Sequence, residues 1–71
     1  MTIVDYATLT HKGDTWRFEH QEISGGGTTR HDFYCYDRLG FTRMKASDAR
    51  LPFAAWVGEV TAQLLALKVD A

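Results

Sequence analysis

From Pro52 to Val69 the chain reads PFAAWVGEVTAQLLALKV, and its apolar residues recur at helical spacing. Phe53, Trp56, Val57, Val60, Leu64 and Leu67 follow i, i+3, i+4, i+7, i+11 and i+14, one stripe of a helix. The opposite side of a surface helix is normally charged. Here the segment carries only Glu59 and Lys68, and the side away from the stripe holds Ala54, Ala55, Gly58, Ala62, Leu65, Ala66 and Val69. A helix that covers one small sheet needs one apolar face. The second face predicts that something else packs on it.

The period changes upstream. Residues 2–9 are rich in β-branched and aromatic types and read as a strand. His11-Lys12-Gly13-Asp14 is a turn. Residues 15–23 alternate, with Trp16 and Phe18 on one face and Arg17 and Glu19 on the other, the pattern of a half-buried strand. Residues 24–28 form a loose Gly-rich loop, which leads into a third strand over 29–37. Arg38-Leu39-Gly40 is a tight connection. Residues 41–46 form a short fourth strand or extend the third past a bulge.

Ser47 is a candidate helix cap, with Asp48 favourable in a first turn. Pro52 restricts Leu51, so a short turn at residues 48–50 and a main helix from Pro52 are expected. Hairpin-length links make the sheet antiparallel. The fold class is therefore α+β: three or four antiparallel strands with one C-terminal helix on one face, βββα or ββββα, in a single domain over 1–71. Trp16, Phe18, Phe33, Cys35, Met44, Leu9 and Ile3 are expected under the helix. Arg17, Arg30, Tyr34, Tyr36, Arg43, Lys45 and Tyr6 are expected on the open face.

Length sharpens the meaning of the second helix face. Ordering costs roughly 1.5 kcal/mol per residue, so folding is nearly balanced in a chain this short. Small domains close the gap with disulfides, metals or oligomerisation. The one cysteine, Cys35, excludes an internal disulfide, and metal ligands are sparse. Oligomerisation remains. The row Ala54, Gly58, Ala62, Ala66 recurs every four residues, and small residues let another backbone come close. Alanine is also simply a good helix former. Gly58, however, costs up to ~1 kcal/mol against Ala, and Leu65 and Val69 lie on the same side. A two-fold homodimer through this helix is the expectation.

Eight basic and nine acidic side chains give a net charge of −1. That excludes a global electrostatic case for nucleic acid or membrane. The apolar segment is too short and interrupted to span a bilayer. No basic stretch followed by an apolar run precedes the first strand, so no secretory signal is expected. A lone free cysteine then fits the cytoplasm. The Met1 start reads as that of a complete small protein.

Candidate chemistry is thin. Tyrosines interleaved with cations on a sheet can stack single-stranded nucleic acid. Tyr34, Tyr36, Arg17, Arg43 and Lys45 fit that pattern, but Glu19 and Asp32 sit among the cations. In element order alone the chain resembles DNA-binding domains of the AP2 and integrase-arm type and ssDNA-binding transcription cofactors, without their sequence signatures. His31 and Cys35 are too far apart along a strand to share an ion. His20 can face His31 across a hairpin, with no third ligand evident, so no metal or cofactor is expected. A Cys–His nucleophile pair lacks an orienting partner, and Cys35 reads as a small buried hydrophobe. Gly25-Gly26-Gly27 leads into a strand and is no phosphate loop; it reads as a mobile tip.

The expectation is a small non-enzymatic interaction protein that binds a larger protein partner. It would act as a regulator or inhibitor, of the kind phages encode against host systems, anti-CRISPR proteins among them. The alternative is a nucleic-acid-binding module that uses the Tyr/Arg face.

Overall fold

The computed structural model describes residues 1–67. Strands β1 (Thr2–His11), β2 (Asp14–Gly25), β3 (Thr28–Tyr36) and β4 (Thr42–Ala46) precede helix α1 (Phe53–Leu67). The strands form one sheet in the order β1-β2-β3-β4, every pair antiparallel. The fourth strand is separate, so the order is ββββα. No helix among the described residues is long and apolar enough to cross a membrane.

Two-residue alternation assigns the faces. Ala7, Phe18, Cys35 and Met44 line up across the four strands under the helix. Tyr6, Glu19, Tyr34 and Lys45 form the adjacent row on the open side. The helix lays Phe53, Trp56, Val60 and Leu64 on Phe18, Phe33 and Cys35, and among the described residues these seven are the buried core. Phe18 meets Trp56 edge-on at 6.1 Å and Phe33 meets Phe53 at 5.3 Å, the arrangement ring quadrupoles favour. Leu9, Trp16 and Met44 pack half-buried around them, as expected.

Ile3 departs from expectation. A bulge between Ile3 and Asp5 inserts Val4, so Ile3 pairs with Gln21 while Asp5 pairs with His20. The inserted residue flips the side-chain parity. Ile3 therefore shares the open face with Gln21 and stays 49% exposed.

The loop over 24–28 is tight rather than loose. β2 runs to Gly25 and β3 starts at Thr28, leaving Gly26 and Gly27 at φ +60° and +81°. That two-residue turn with both φ positive matches the strand twist and demands glycine. The helix start matches the expectation set by Pro52. Ser47 and Asp48 form a turn, with Asp48 at φ 50°. The Pro52 carbonyl accepts from Ala55 N (3.1 Å) and Trp56 N (3.2 Å). Pro52 thus directly precedes the first helical residue, as expected, because proline's missing N–H costs nothing there.

Candidate interaction surfaces

The open face is a packed aromatic and polar network. Tyr34 and Tyr36 stand on β3 with rings stacked at 5.9 Å and 7°. Arg17, opposite Tyr36 on β2, places its guanidinium 5.3 Å from that ring; Lys45, opposite Tyr34 on β4, places its ammonium 5.4 Å from the other. Both lie within cation–π range. Gln21 Nε2 donates to Glu19 Oε1 (3.0 Å) and Tyr36 Oη (3.2 Å). Burial, then the Glu19 carboxylate, push the Tyr36 phenol above its ordinary range.

The other expected cations are committed elsewhere. Arg30 donates to Asp32 through Nε at 3.0 Å and Nη2 at 3.2 Å. Arg43 is the extra residue of a bulge, since Cys35 pairs with Met44 and Tyr36 with Thr42. Its guanidinium meets Asp37 Oδ2 at 3.4 Å and lines a pocket of about 210 Å³ with Asp14, Trp16, Arg38 and Leu39. Among the described residues, Arg17 and Lys45 are the cations of this face that make no ion pair.

Asp32 is a structural centre that sequence reasoning missed. It lies on the open side of β3 yet is 0% exposed. Besides Arg30, its carboxylate accepts Asp48 N–H at 3.0 Å and Tyr34 Oη–H at 3.4 Å. Ala49 N adds a bond to the His31 carbonyl at 2.7 Å. Together they pin the 47–49 turn against β3, from which the chain crosses to the helix side. Burial alone would raise the Asp32 carboxyl; the Asp48 N–H, Arg30 and Tyr34 outweigh it and hold it below the usual carboxylate range.

The outer side of α1 is solvent-exposed at Ala54, Ala55, Gly58, Ala62, Leu65 and Ala66. A Cβ built on Gly58 would meet nothing within 4 Å, so no intrachain contact requires glycine there. Val69, the last residue assigned to this face, lies outside the described residues.

A second exposed apolar feature was also missed. Leu39 and Phe41, 66% and 65% exposed, flank Gly40 in the β3–β4 turn. Asp37 braces them: its Oδ1 accepts the N–H groups of Leu39 and Phe41, each at 3.0 Å. Burial would raise Asp37, but those N–H groups and Arg43 lower it. The Asp37-x-x-Gly40 spacing is a turn signal that pointed to this geometry.

The remaining candidates are His20, His31 and Cys35. The histidines meet, Nε2 to Nδ1 at 2.9 Å, with His20 against Phe33 at 4.9 Å. Among the described residues no group of three or more His, Cys, Asp or Glu is placed to hold a metal. Cys35 is buried, and that burial, followed by the Asp37 charge, pushes its thiol up to about 11. A protonated, enclosed thiol is a poor nucleophile. No family model, no curated protein and no solved structure matches the chain.

Proposed function

We propose that the chain is a small non-enzymatic protein-interaction module, homodimeric through the outer face of α1, that acts by occupying a surface of a larger protein. The observation that carries this reading is the exposed uncharged helix side around Gly58. Glycine in a helix interior costs up to about 1 kcal/mol, and the chain's own packing gives no reason for it. Close approach by another helix does. The open face supplies the recognition surface. Its tyrosines are held by Arg17, Lys45, Gln21 and Asp32, so little side-chain freedom is lost on binding. Size and the absence of a reactive constellation among the described residues favour a regulator or inhibitor, of the phage-encoded anti-CRISPR kind, working in the cytoplasm where Cys35 stays reduced.

The nucleic-acid reading has weaker support. Base stacking needs open ring faces, whereas Tyr34 and Tyr36 stack on each other beneath Arg17 and Lys45. Arg30 and Arg43 are neutralised by carboxylates. The test of the proposed dimer is solution mass by light scattering. The wild type is expected as a dimer and Gly58→Leu, which fills the close approach, as a folded monomer. A wild type that stays monomeric to high concentration ends the homodimer reading.

A further inference from the structure

We propose that the outer edge of β1, over residues 7–11, pairs with the same edge of a second copy, so that two sheets become one and the two α1 helices face each other across the join. The inference rests on the homodimer proposed above and adds the second element of its seam.

The two edges of the sheet are protected differently. Edge strands are normally blunted by shortness, bulges, charges or proline. β4 has five residues, a bulge at Arg43 and the charges of Arg43 and Lys45. The turn that follows it is tied to β3 through Ala49 N and Asp48 N. β1 has ten residues and contains no lysine, arginine or proline. Among the described residues its protection is confined to one end: the bulge between Ile3 and Asp5, and the Asp5 carboxylate, which accepts Tyr6 N–H at 3.0 Å.

That last bond also sets the parity of the strand. Tyr6 N–H turns outward to a side chain rather than inward to β2. In an antiparallel strand outward backbone groups recur at every second residue. Thr8 and Thr10 therefore direct their N–H and C=O groups away from the sheet. The unprotected stretch runs from Ala7 to His11, with Leu9 at its midpoint. A two-fold axis at Leu9 pairs Thr8 of each copy with Thr10 of the other through reciprocal backbone bonds. Threonine faces threonine on the open side, and the two Leu9 side chains meet on the helix side. Leu9 is only half-buried in one copy, so the join covers its remaining surface.

The helix explains why the occupant is a second copy rather than a foreign strand. At about 100° per residue, Ala54, Val57, Gly58, Thr61 and Leu65 fall on one flank of the buried stripe. Glu59 and Gln63 fall on the other. A groove of about 280 Å³ lined by Asp5, Tyr6, Ala7, Phe53, Ala54 and Val57 sets the uncharged flank on the β1 side. The unprotected edge and the uncharged flank are thus neighbours. An extended peptide would satisfy the edge and leave the flank in water. A second copy related by the Leu9 axis brings an identical edge and an identical flank, one isologous surface.

The experiment combines cross-linking with solution mass. In Leu9→Cys the two introduced thiols form a non-hydrogen-bonded cross-strand pair, the spacing that suits a disulfide, while Cys35 is enclosed. Mild oxidation is expected to convert that variant to a covalent dimer and to leave the wild type uncross-linked. Thr8→Pro removes an outward N–H, which an edge strand tolerates, and is expected to weaken dimerisation at least about tenfold with the far-UV spectrum unchanged. A wild type that scatters as a dimer while Leu9→Cys does not cross-link overturns the edge seam and leaves the helix dimer standing. A monomeric wild type removes both. Should Leu9→Cys fail to fold, a Thr8→Pro dimer of undiminished affinity overturns the edge seam.

Discussion

Removing the Asp32 carboxylate should cost far more stability than its place on the open face implies. The structure supplies the terms. Asp48 N–H donates to it at 3.0 Å, Arg30 holds it through two nitrogens at 3.0 and 3.2 Å, and Tyr34 donates at 3.4 Å. A hydrogen bond to a charged group contributes about 1.5–3 kcal/mol net. The Asp48 bond is part-buried and sits at the lower end of that range. Arg30 is 53% exposed, so solvent screening reduces its pairing to about 1 kcal/mol or less. The long Tyr34 bond adds about 0.5 kcal/mol. Asp32→Ala is then expected to lose about 3 kcal/mol. Asp32→Asn, which keeps an acceptor for Asp48 but turns a donor toward Arg30, is expected to lose about half of that.

The assay is urea denaturation followed by tryptophan fluorescence, with native-state amide exchange at Asp48 as the local reporter. A domain of this length has about 4–10 kcal/mol in total, so the Ala variant should be visibly marginal. The sign of the pH dependence follows from the lowered pKa. Folding favours the ionised carboxylate, so this stabilisation is complete above the unfolded value near 3.8 and is lost as pH falls through the lower folded value. Arg30→Ala should cost less than about 1 kcal/mol, since it leaves Asp32 with its Asp48 bond. An Asp32→Ala variant within 0.5 kcal/mol of wild type, or an Arg30→Ala variant as damaging as Asp32→Ala, would refute the view that Asp32 acts by pinning the crossover.

Two further outcomes follow from local geometry. Lys12 sits at φ 53° before Gly13 at φ 82°; Lys12→Asn supplies the residue that tolerates this conformation and should raise stability by about 0.5–1 kcal/mol in the same denaturation assay. Cys35, with its thiol pushed up to about 11 from 9.0, should react with iodoacetamide at pH 8 at least on the order of 100-fold more slowly in the folded chain than in urea; equal rates would mean the thiol is not enclosed.

The features that could be read from the sequence were those set by a short period. Trp16 and Phe18 alternate with Arg17 and Glu19, and Phe33 and Cys35 alternate with Tyr34 and Tyr36, so both faces were assignable strand by strand. The helical stripe Phe53, Trp56, Val60, Leu64 was equally direct. What escaped depends on single inserted residues or on distant chain. Val4 and Arg43 are bulge residues, and nothing in their neighbours' composition marks an insertion; one moved Ile3 to the other face, the other gave Arg43 to Asp37. Asp32 is buried by a backbone N–H sixteen residues later, a contact no local pattern contains. Its pairing with Arg30, two residues away on the same face, was the one local hint.

The core and the open face together explain why association is the central question for this chain. Among the described residues seven form the buried core, and they occupy the rows beneath α1. At the far end of the sheet Leu39 and Phe41 remain exposed on a turn hydrogen-bonded by Asp37, and Ile3, Val4 and Tyr6 remain exposed on β1. A solvated face of a monomer needs no braced aromatics, because water satisfies its polar groups at no conformational cost. Here Asp32, Gln21, Arg17 and Lys45 fix Tyr34 and Tyr36 in place. Fixing exposed side chains is unfavourable for the isolated chain and favourable for a complex, in which that freedom would otherwise be lost on binding. The thin core therefore limits how stable one copy can be, and the ordered open face lowers what binding must overcome. Both effects act in the same direction, and they are the physical case for the association proposed above.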